Sequence, residues 1–387
     1  MAPTYDVVVV GGGPAGASAA HVLAQDGARV LLLEKARIPR YKPCGGGITA
    51  RAHTASPLVA AFPMETTADT VLVHARTMEV ACRLPVPIGM VMRDRFDAYL
   101  VEQAVHAGAE LRDGTALSAL EQDGSSLRLR AGSETITASY VVGADGAAGI
   151  TARFAGFDQM RTTGAAVEVE LAVSEQALGR YKKKILLDLL AIQGGYAWIF
   201  GKAEHLSVGL GVFHRNQKSD LRAALSRFLA GHEDLRDGKT LLQRGHLIPL
   251  AGGRRTRRRG SVLLAGDAAA LADPMTAEGI SYALATGRHA GMSIVDALKR
   301  GPEALAQYDR YIDGELCKDL RYAKIVAALS YRYPDVVVRL AAENPRLRDK
   351  ETAAVSGTLE YRSLVLEMVR KAPTLLHARL SRNGGSA

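Results

Sequence analysis

The chain has 387 residues, a net charge of +9 and 48% hydrophobic residues, enough for a sizeable core and for two domains, or one with an insertion. Its three scattered cysteines, Cys44, Cys82 and Cys317, exclude a disulfide framework and a metal site, and they fit a reducing cytoplasm. Aromatics at 5% with no recognised binding motif argue against nucleic acid, and no apolar run approaches a membrane span.

Tyr5 already begins the first predicted strand, so no signal peptide is expected before it. Val7 to Val10 form an apolar run without alternation, the pattern of a buried parallel strand. Gly11, Gly13 and Gly16 follow as Gly-x-Gly-x-x-Gly. The first allows a tight turn, the second lets the backbone approach a pyrophosphate, and the third lets a helix pack on the strand. That helix, from about residue 15 to 25, points its N-terminal N–H groups at the phosphates. A second strand over 28–33 ends at Glu34, where a carboxylate accepts hydrogen bonds from ribose hydroxyls. Strand, glycine triplet, helix, strand and acid in register predict a dinucleotide site.

A glycine-rich stretch, Lys42-Pro43-Cys44-Gly45-Gly46-Gly47-Ile48, comes next. Short alternating runs over 70–92 (Val71, Val73; Val80, Cys82, Leu84) predict antiparallel strands. A helix is expected over 93–106. Residues 140–143 read as a strand running into Ala144-Asp145-Gly146. Alternation returns over 164–213, at Val167, Val169 and Leu171, then Trp198 and Phe200, then Val208, Leu210 and Val212, and predicts a sheet with one covered face. Residues 261–264 form another strand ending in Gly266-Asp267, followed by a helix over 278–298. Beyond Pro302 the pattern is helical, broken at Pro334, Pro345 and Pro373, and the tail after Arg382 is expected to be disordered. Two basic clusters, Lys182 to Lys184 and Arg254, Arg255, Arg257, Arg258 and Arg259, suit phosphate or an anionic membrane surface, and equally suit two solvated loops.

The expected fold class is α/β, α+β overall. A Rossmann-like dinucleotide-binding domain (1–68, 93–163 and 256–300) is interleaved with an antiparallel-sheet substrate domain (69–92 and 164–255), and a helical C-terminal region spans 301–387.

Four details together resemble the geranylgeranyl reductase family, a flavin-dependent group built on the p-hydroxybenzoate hydroxylase fold. They are the Lys42-Pro43-Cys44-Gly45-Gly46 loop; Asp145-Gly146 with Arg153; Tyr196-Ala197-Trp198-Ile199-Phe200, as Tyr-x-Trp-x-Phe; and Gly266-Asp267 with Pro274 and Glu278-Gly279-Ile280. The resemblance covers about residues 4–300 and implies FAD in the N-terminal site. It implies that Glu34 binds the adenosine ribose, that Arg93 reaches toward the flavin phosphates, and that Asp267 meets the ribityl or pyrophosphate region. The loop from Pro274 to Gly279 would lead the helix N-terminus at Ile280 toward the isoalloxazine. Gly11, Gly13, Pro14, Ala15, Gly16, Lys35, Cys44, Gly45, Gly46, Leu117 and Asp145 complete the implied cofactor contacts. Two positions depart from the family: Gly201 stands where Pro precedes the lysine, and Gly149 stands where Ser follows Asp-Gly.

The implied activity is saturation of isolated double bonds of a geranylgeranyl or prenyl chain, by hydride from reduced flavin N5 plus a proton. Cys44 is the first catalytic candidate. Tyr196 and Trp198, two apart and so on one strand face, could wall the prenyl slot. Lys202 and the arginine loop could meet a diphosphate or lipid head group. His205 and His246 have no context that recommends them. The substrate would be a prenylated lipid, pigment, quinone or prenyl diphosphate, and the reductant NADPH or a ferredoxin-like electron-donor protein. The expected location is cytoplasmic, with peripheral contact on the inner face of a membrane through the basic loops or the helix bearing Leu359, Leu366, Met368 and Val369. The rival readings are an aromatic or polyketide monooxygenase and an electron-transfer flavoprotein reducing a quinone.

Overall fold

The computed structural model describes residues 3–75, 78–158, 160, 163–213, 220–254 and 256–370. Arg255, Pro373 and the tail after Arg382 lie outside the described residues.

The unalternating valines form the central strand, Thr4–Val10, of a largely parallel sheet. Its order is Arg258–Arg259, Val262–Leu264, Glu134–Gly143, Thr4–Val10, Val30–Leu33 and Glu110–Arg112. Only the edge strand Arg258–Arg259 runs antiparallel in this row. Val7 to Val10 are buried on both faces, as a parallel strand covered by helices must be. An antiparallel pair, Leu117–Asp123 and Ser126–Ala131, extends from the first half of Glu134–Gly143. The helices Pro14–Gln25 and Ile280–Arg300 pack on each other against this sheet, with Ala15, Leu23, Leu284 and Ile294 in one core.

The second sheet has the order Lys239–Ile248, Gly164–Ala172, Leu206–Val212, Gly195–Gly201, Lys184–Asp188, Thr66–Ala75, Met78–Met90 and Gly47–Ile48. Its pairs are antiparallel except Lys184–Asp188 with Thr66–Ala75. Two pieces of the 1–68 segment, Gly47–Ile48 and the start of Thr66–Ala75, pair into it.

One expectation is overturned. The alternation over 206–212 implied a solvent face, yet every residue of Leu206–Val212 is buried. Val208, Leu210 and Val212 pack with Ala224, Leu225 and Phe228 of the helix Leu221–Gly231 on one side. On the other, Gly209 lies under Trp198, and a Cβ there would sit 2.3 Å from the indole ring. Gly211 meets Phe213 in the same way, at 2.5 Å. The small residues alternate because they make room for rings, not because they face water.

The C-terminal region is helical, and Pro334 and Pro345 are the first residues of Pro334–Glu343 and Pro345–Ser356, where a missing N–H costs nothing. Met368 packs on the core, while Leu366 and Val369 are exposed. No helix among the described residues is long and apolar enough to cross a membrane.

Candidate functional site

A cavity of about 710 Å³ separates the two sheets. One wall is made by the carboxyl ends of the parallel strands, at Val10, Leu33, Glu34, Ala144 and Asp145, the place where open α/β sheets take ligands. The other is the inner face of the second sheet.

At the first wall, Gly11, Gly13, Pro14 and Ala15 line the cavity. A Cβ on Gly13 would meet nothing closer than Arg40 Nη2 at 3.7 Å, so the backbone stands open to a ligand. The helix behind it has no side-chain cap, which leaves its first N–H groups for an anion. Gly16 is not at the cavity: it packs on the Gly11 carbonyl, its implied helix-packing role. Glu34 is buried, its carboxylate accepting the Gly12 N–H at 2.8 Å and the Ala36 N–H at 3.0 Å, with lone pairs left for further donors. Lys35 and Leu117 also line this end.

Arg93 lines the cavity. It forms a two-point ion pair with Asp97 at 2.7 and 2.9 Å through Nε and Nη2. Arg40, which sequence reasoning missed, shares Asp97 at 2.9 Å and stands 3.4 Å from Glu34, over the glycine loop. Asp145 turns back on its own chain. Its Oδ2 accepts from the Ile150 and Thr151 N–H groups and the Thr151 hydroxyl, capping Thr151–Phe154. A Cβ on Gly149 would lie 2.2 Å from that carboxyl carbon, which accounts for glycine in place of serine.

A second helix N-terminus, Gly279 and Ile280, enters the same cavity, with the Ser281 N–H of its first turn donated to Glu278 at 3.3 Å. Asp267 stands beside it with Lys42 Nζ at 3.3 Å and His246 Nε2 at 3.6 Å. Burial pushes the Asp267 carboxyl up, but Lys42 and His246 together outweigh it and hold the group well below the usual carboxylate range. His246 thus has a site context that its sequence neighbours do not reveal. Pro274 is buried and does not line the cavity; the loop presents Met275 to Glu278 instead. Asp273 holds this loop by accepting the Met275 and Thr276 N–H groups, and Tyr196 donates its hydroxyl to the Thr276 carbonyl at 2.5 Å.

Cys44, Gly45 and Gly46 bridge the two walls. Lys202 fixes them. It is 2% exposed and donates to the carbonyls of Gly45 at 2.6 Å and Val91 at 2.9 Å. It therefore meets no head group, contrary to expectation; a buried ammonium ends up where two backbone carbonyls need a donor. The described arginines of the basic loop are likewise spent internally. Arg254 donates to the Asp158 carbonyl, Arg257 pairs with Asp313 at 3.2 Å, Arg258 with Asp309 at 2.6 Å, and Arg259 donates to the Gly156 carbonyl. Lys182, Lys183 and Lys184 remain exposed.

The far end of the cavity is apolar. Tyr196, Trp198 and Phe200 share one face of Gly195–Gly201, their ring centroids 6.1 and 6.4 Å apart in sequence, and Phe213 lies 5.1 Å from Tyr196. Val71, Ile88, Ile185, Leu187 and Leu189 continue this wall.

Residues 4–182 match the FAD binding domain family. Geranylgeranyl diphosphate reductase from the chloroplast of Oryza sativa subsp. japonica is 30% identical over 337 residues, covering 79% of this chain and 70% of the rice protein. A geranylgeranyl bacteriochlorophyll reductase-like protein from Thermoplasma acidophilum has the same fold, with a TM-score of 0.80 at 20% identity, covering 96% of this chain and all of that one. A flavin-dependent brominase shares the fold as well, with a TM-score of 0.73 at 20% identity, covering 95% of this chain and all of that one.

Proposed function

The chain belongs to the geranylgeranyl reductase family of FAD-binding flavoproteins, and from that premise we propose that it saturates isolated double bonds of a geranylgeranyl or other prenyl chain. FAD, when bound and reduced, supplies the hydride. Gly11, Gly13, Pro14, Ala15, Glu34 and Arg40 would hold its adenosine diphosphate half, and Asp267, Gly279, Ile280 and the loop 44–46 its flavin half. The open backbone at Gly13, the uncapped start of Pro14–Gln25 and the lone pairs on Glu34 fit such a ligand.

The observation that carries this reading is the continuity of the cavity. A polar cradle at 11–15 runs past Cys44 into a wall of Ile185, Leu187, Tyr196, Trp198 and Phe200. An isolated alkene offers no carbonyl to polarise, so the protein must supply a dry slot and a proton. The apolar wall excludes water and orients the chain, and Cys44 stands at its entrance. Electrons would come from NADPH docking transiently or from a ferredoxin-like donor, and the substrate would be a prenylated lipid, pigment, quinone or diphosphate.

Anaerobic titration tests it. Geranylgeranyl diphosphate added to the dithionite-reduced, FAD-loaded protein should restore the oxidised flavin absorption. Flavin that stays reduced would reject the reading for that chain.

A further inference from the structure

Glu168 and Glu170 sit two apart on Gly164–Ala172, on the face turned to the cavity, and are only 3% and 4% exposed. Glu168 lines the cavity. Its Oε1 accepts the Cys44 N–H at 2.6 Å and lies 2.9 Å from the Tyr41 hydroxyl. That hydroxyl lies 3.1 Å from Glu170 Oε1, and Glu170 Oε2 is 3.0 Å from Nε2 of His205, whose side chain is 16% exposed. The four groups form an unbroken path from a partly exposed imidazole to the cavity.

Counting hydrogens places a proton on this path. The Tyr41 hydroxyl carries one hydrogen and can serve one carboxylate. With both acids ionised, the other would face a hydroxyl oxygen at hydrogen-bond distance with no hydrogen between them. Burial, then the neighbouring Glu170 carboxylate, pushes Glu168 up to about 7, against the pull of the Tyr41 hydroxyl, the Cys44 N–H and the Lys202 ammonium. Arg244, opposite Glu168 in the sheet register, is the charged residue facing it from Lys239–Ile248.

Resting on the prenyl-reductase reading, we propose that Glu168 gives the proton to the double bond and is recharged through Tyr41, Glu170 and His205. One alkene carbon takes a hydride from the reduced flavin, and the other takes the Glu168 carboxyl proton. The π bond would be lost and two C–H bonds formed, with the two electrons supplied by the bound, reduced FAD. His205 then passes a proton from solvent to Glu170, Glu170 passes it to the Tyr41 oxygen, and Tyr41 gives its own hydroxyl hydrogen to the Glu168 carboxylate.

Infrared difference spectra of the FAD-loaded protein across neutral pH test the proton site without turnover. The wild type should show protonated carboxyl absorption that titrates near neutrality, from Glu168 and from the buried Glu351, and Glu168→Gln should lose the Glu168 share of it while keeping bound FAD. With geranylgeranyl diphosphate and reduced protein, Glu168→Gln should add hydrogen at least about 100-fold more slowly. Glu168→Asp, which keeps a carboxyl, should recover part of the rate, and Tyr41→Phe should slow repeated turnovers more than the first. Carboxyl absorption undiminished in Glu168→Gln, or wild-type hydrogenation by that variant, overturns the proposal. A wild type that adds no hydrogen although its band titrates overturns the prenyl-reductase reading, and the delivery step with it.

Discussion

At Cys44 three restraints converge. Its N–H is held by Glu168, its sulfur receives the Gly46 N–H at 3.4 Å, and its loop is pinned by Lys202 through the Gly45 carbonyl. A side chain so placed between the nucleotide cradle and the aromatic wall is positioned for chemistry on whatever lies there. Cys44→Ser should leave yellow, FAD-loaded protein and lower alkene hydrogenation by about 10- to 100-fold, the span of one positioned proton-handling group. Unchanged turnover, measured by product mass, would remove Cys44 from the mechanism. The cysteine stands out in the sequence because a glycine-rich loop surrounds it. Tyr41, Arg40, Glu168 and His246 do not, because what makes them site residues is contact with residues distant in the chain. Tyr41 meets Glu168 across 127 positions, and Lys42 meets Asp267 across 225. No local pattern carries such pairings.

Elements explain where pattern reading succeeds and where it fails. The parallel strands, the glycine turn and the two helices that enter the cavity follow from hydropathy and spacing, since each obeys one local rule. The strand Leu206–Val212 breaks the rule that alternation means a wet face, because Gly209 and Gly211 are buried beneath the rings of Trp198 and Phe213. Lys202, just past the end of Gly195–Gly201, shows the same limit: a cation that reads as a surface group serves as a buried clamp between two elements. Lys202→Met should leave the Gly45 and Val91 carbonyls without their donor, costing about 2 to 4 kcal/mol. Thermal melting should show the loss, and FAD should dissociate faster from the variant as the loop 44–46 loosens. A variant with wild-type stability and FAD retention would contradict this role.

Over the whole molecule, buried acids tie stability to pH. Folded Glu168 titrates at about 7 against an ordinary value of 4.5. Between those values the folded chain keeps a proton that the unfolded chain releases, so stability falls as pH rises through that window, by at most ~3 kcal/mol. Glu351, raised to about 7 by burial, acts in the same direction. Asp267 acts oppositely: held low in the fold, it contributes stability above its ordinary 3.8, and that contribution is lost as pH falls further. The melting temperature should therefore decline from pH about 5 to about 8, and decline less in Glu168→Gln. An equal decline in the variant would contradict the assignment of that proton.

Product mass decides whether this protein saturates a prenyl chain. The dithionite-reduced, FAD-loaded protein should be incubated anaerobically with geranylgeranyl diphosphate and the organic products weighed by mass spectrometry. A gain of two hydrogens for each double bond saturated is expected. An unchanged prenyl chain, together with oxygen incorporated into an aromatic substrate in air with NADPH, would contradict it and place the chain among flavin monooxygenases.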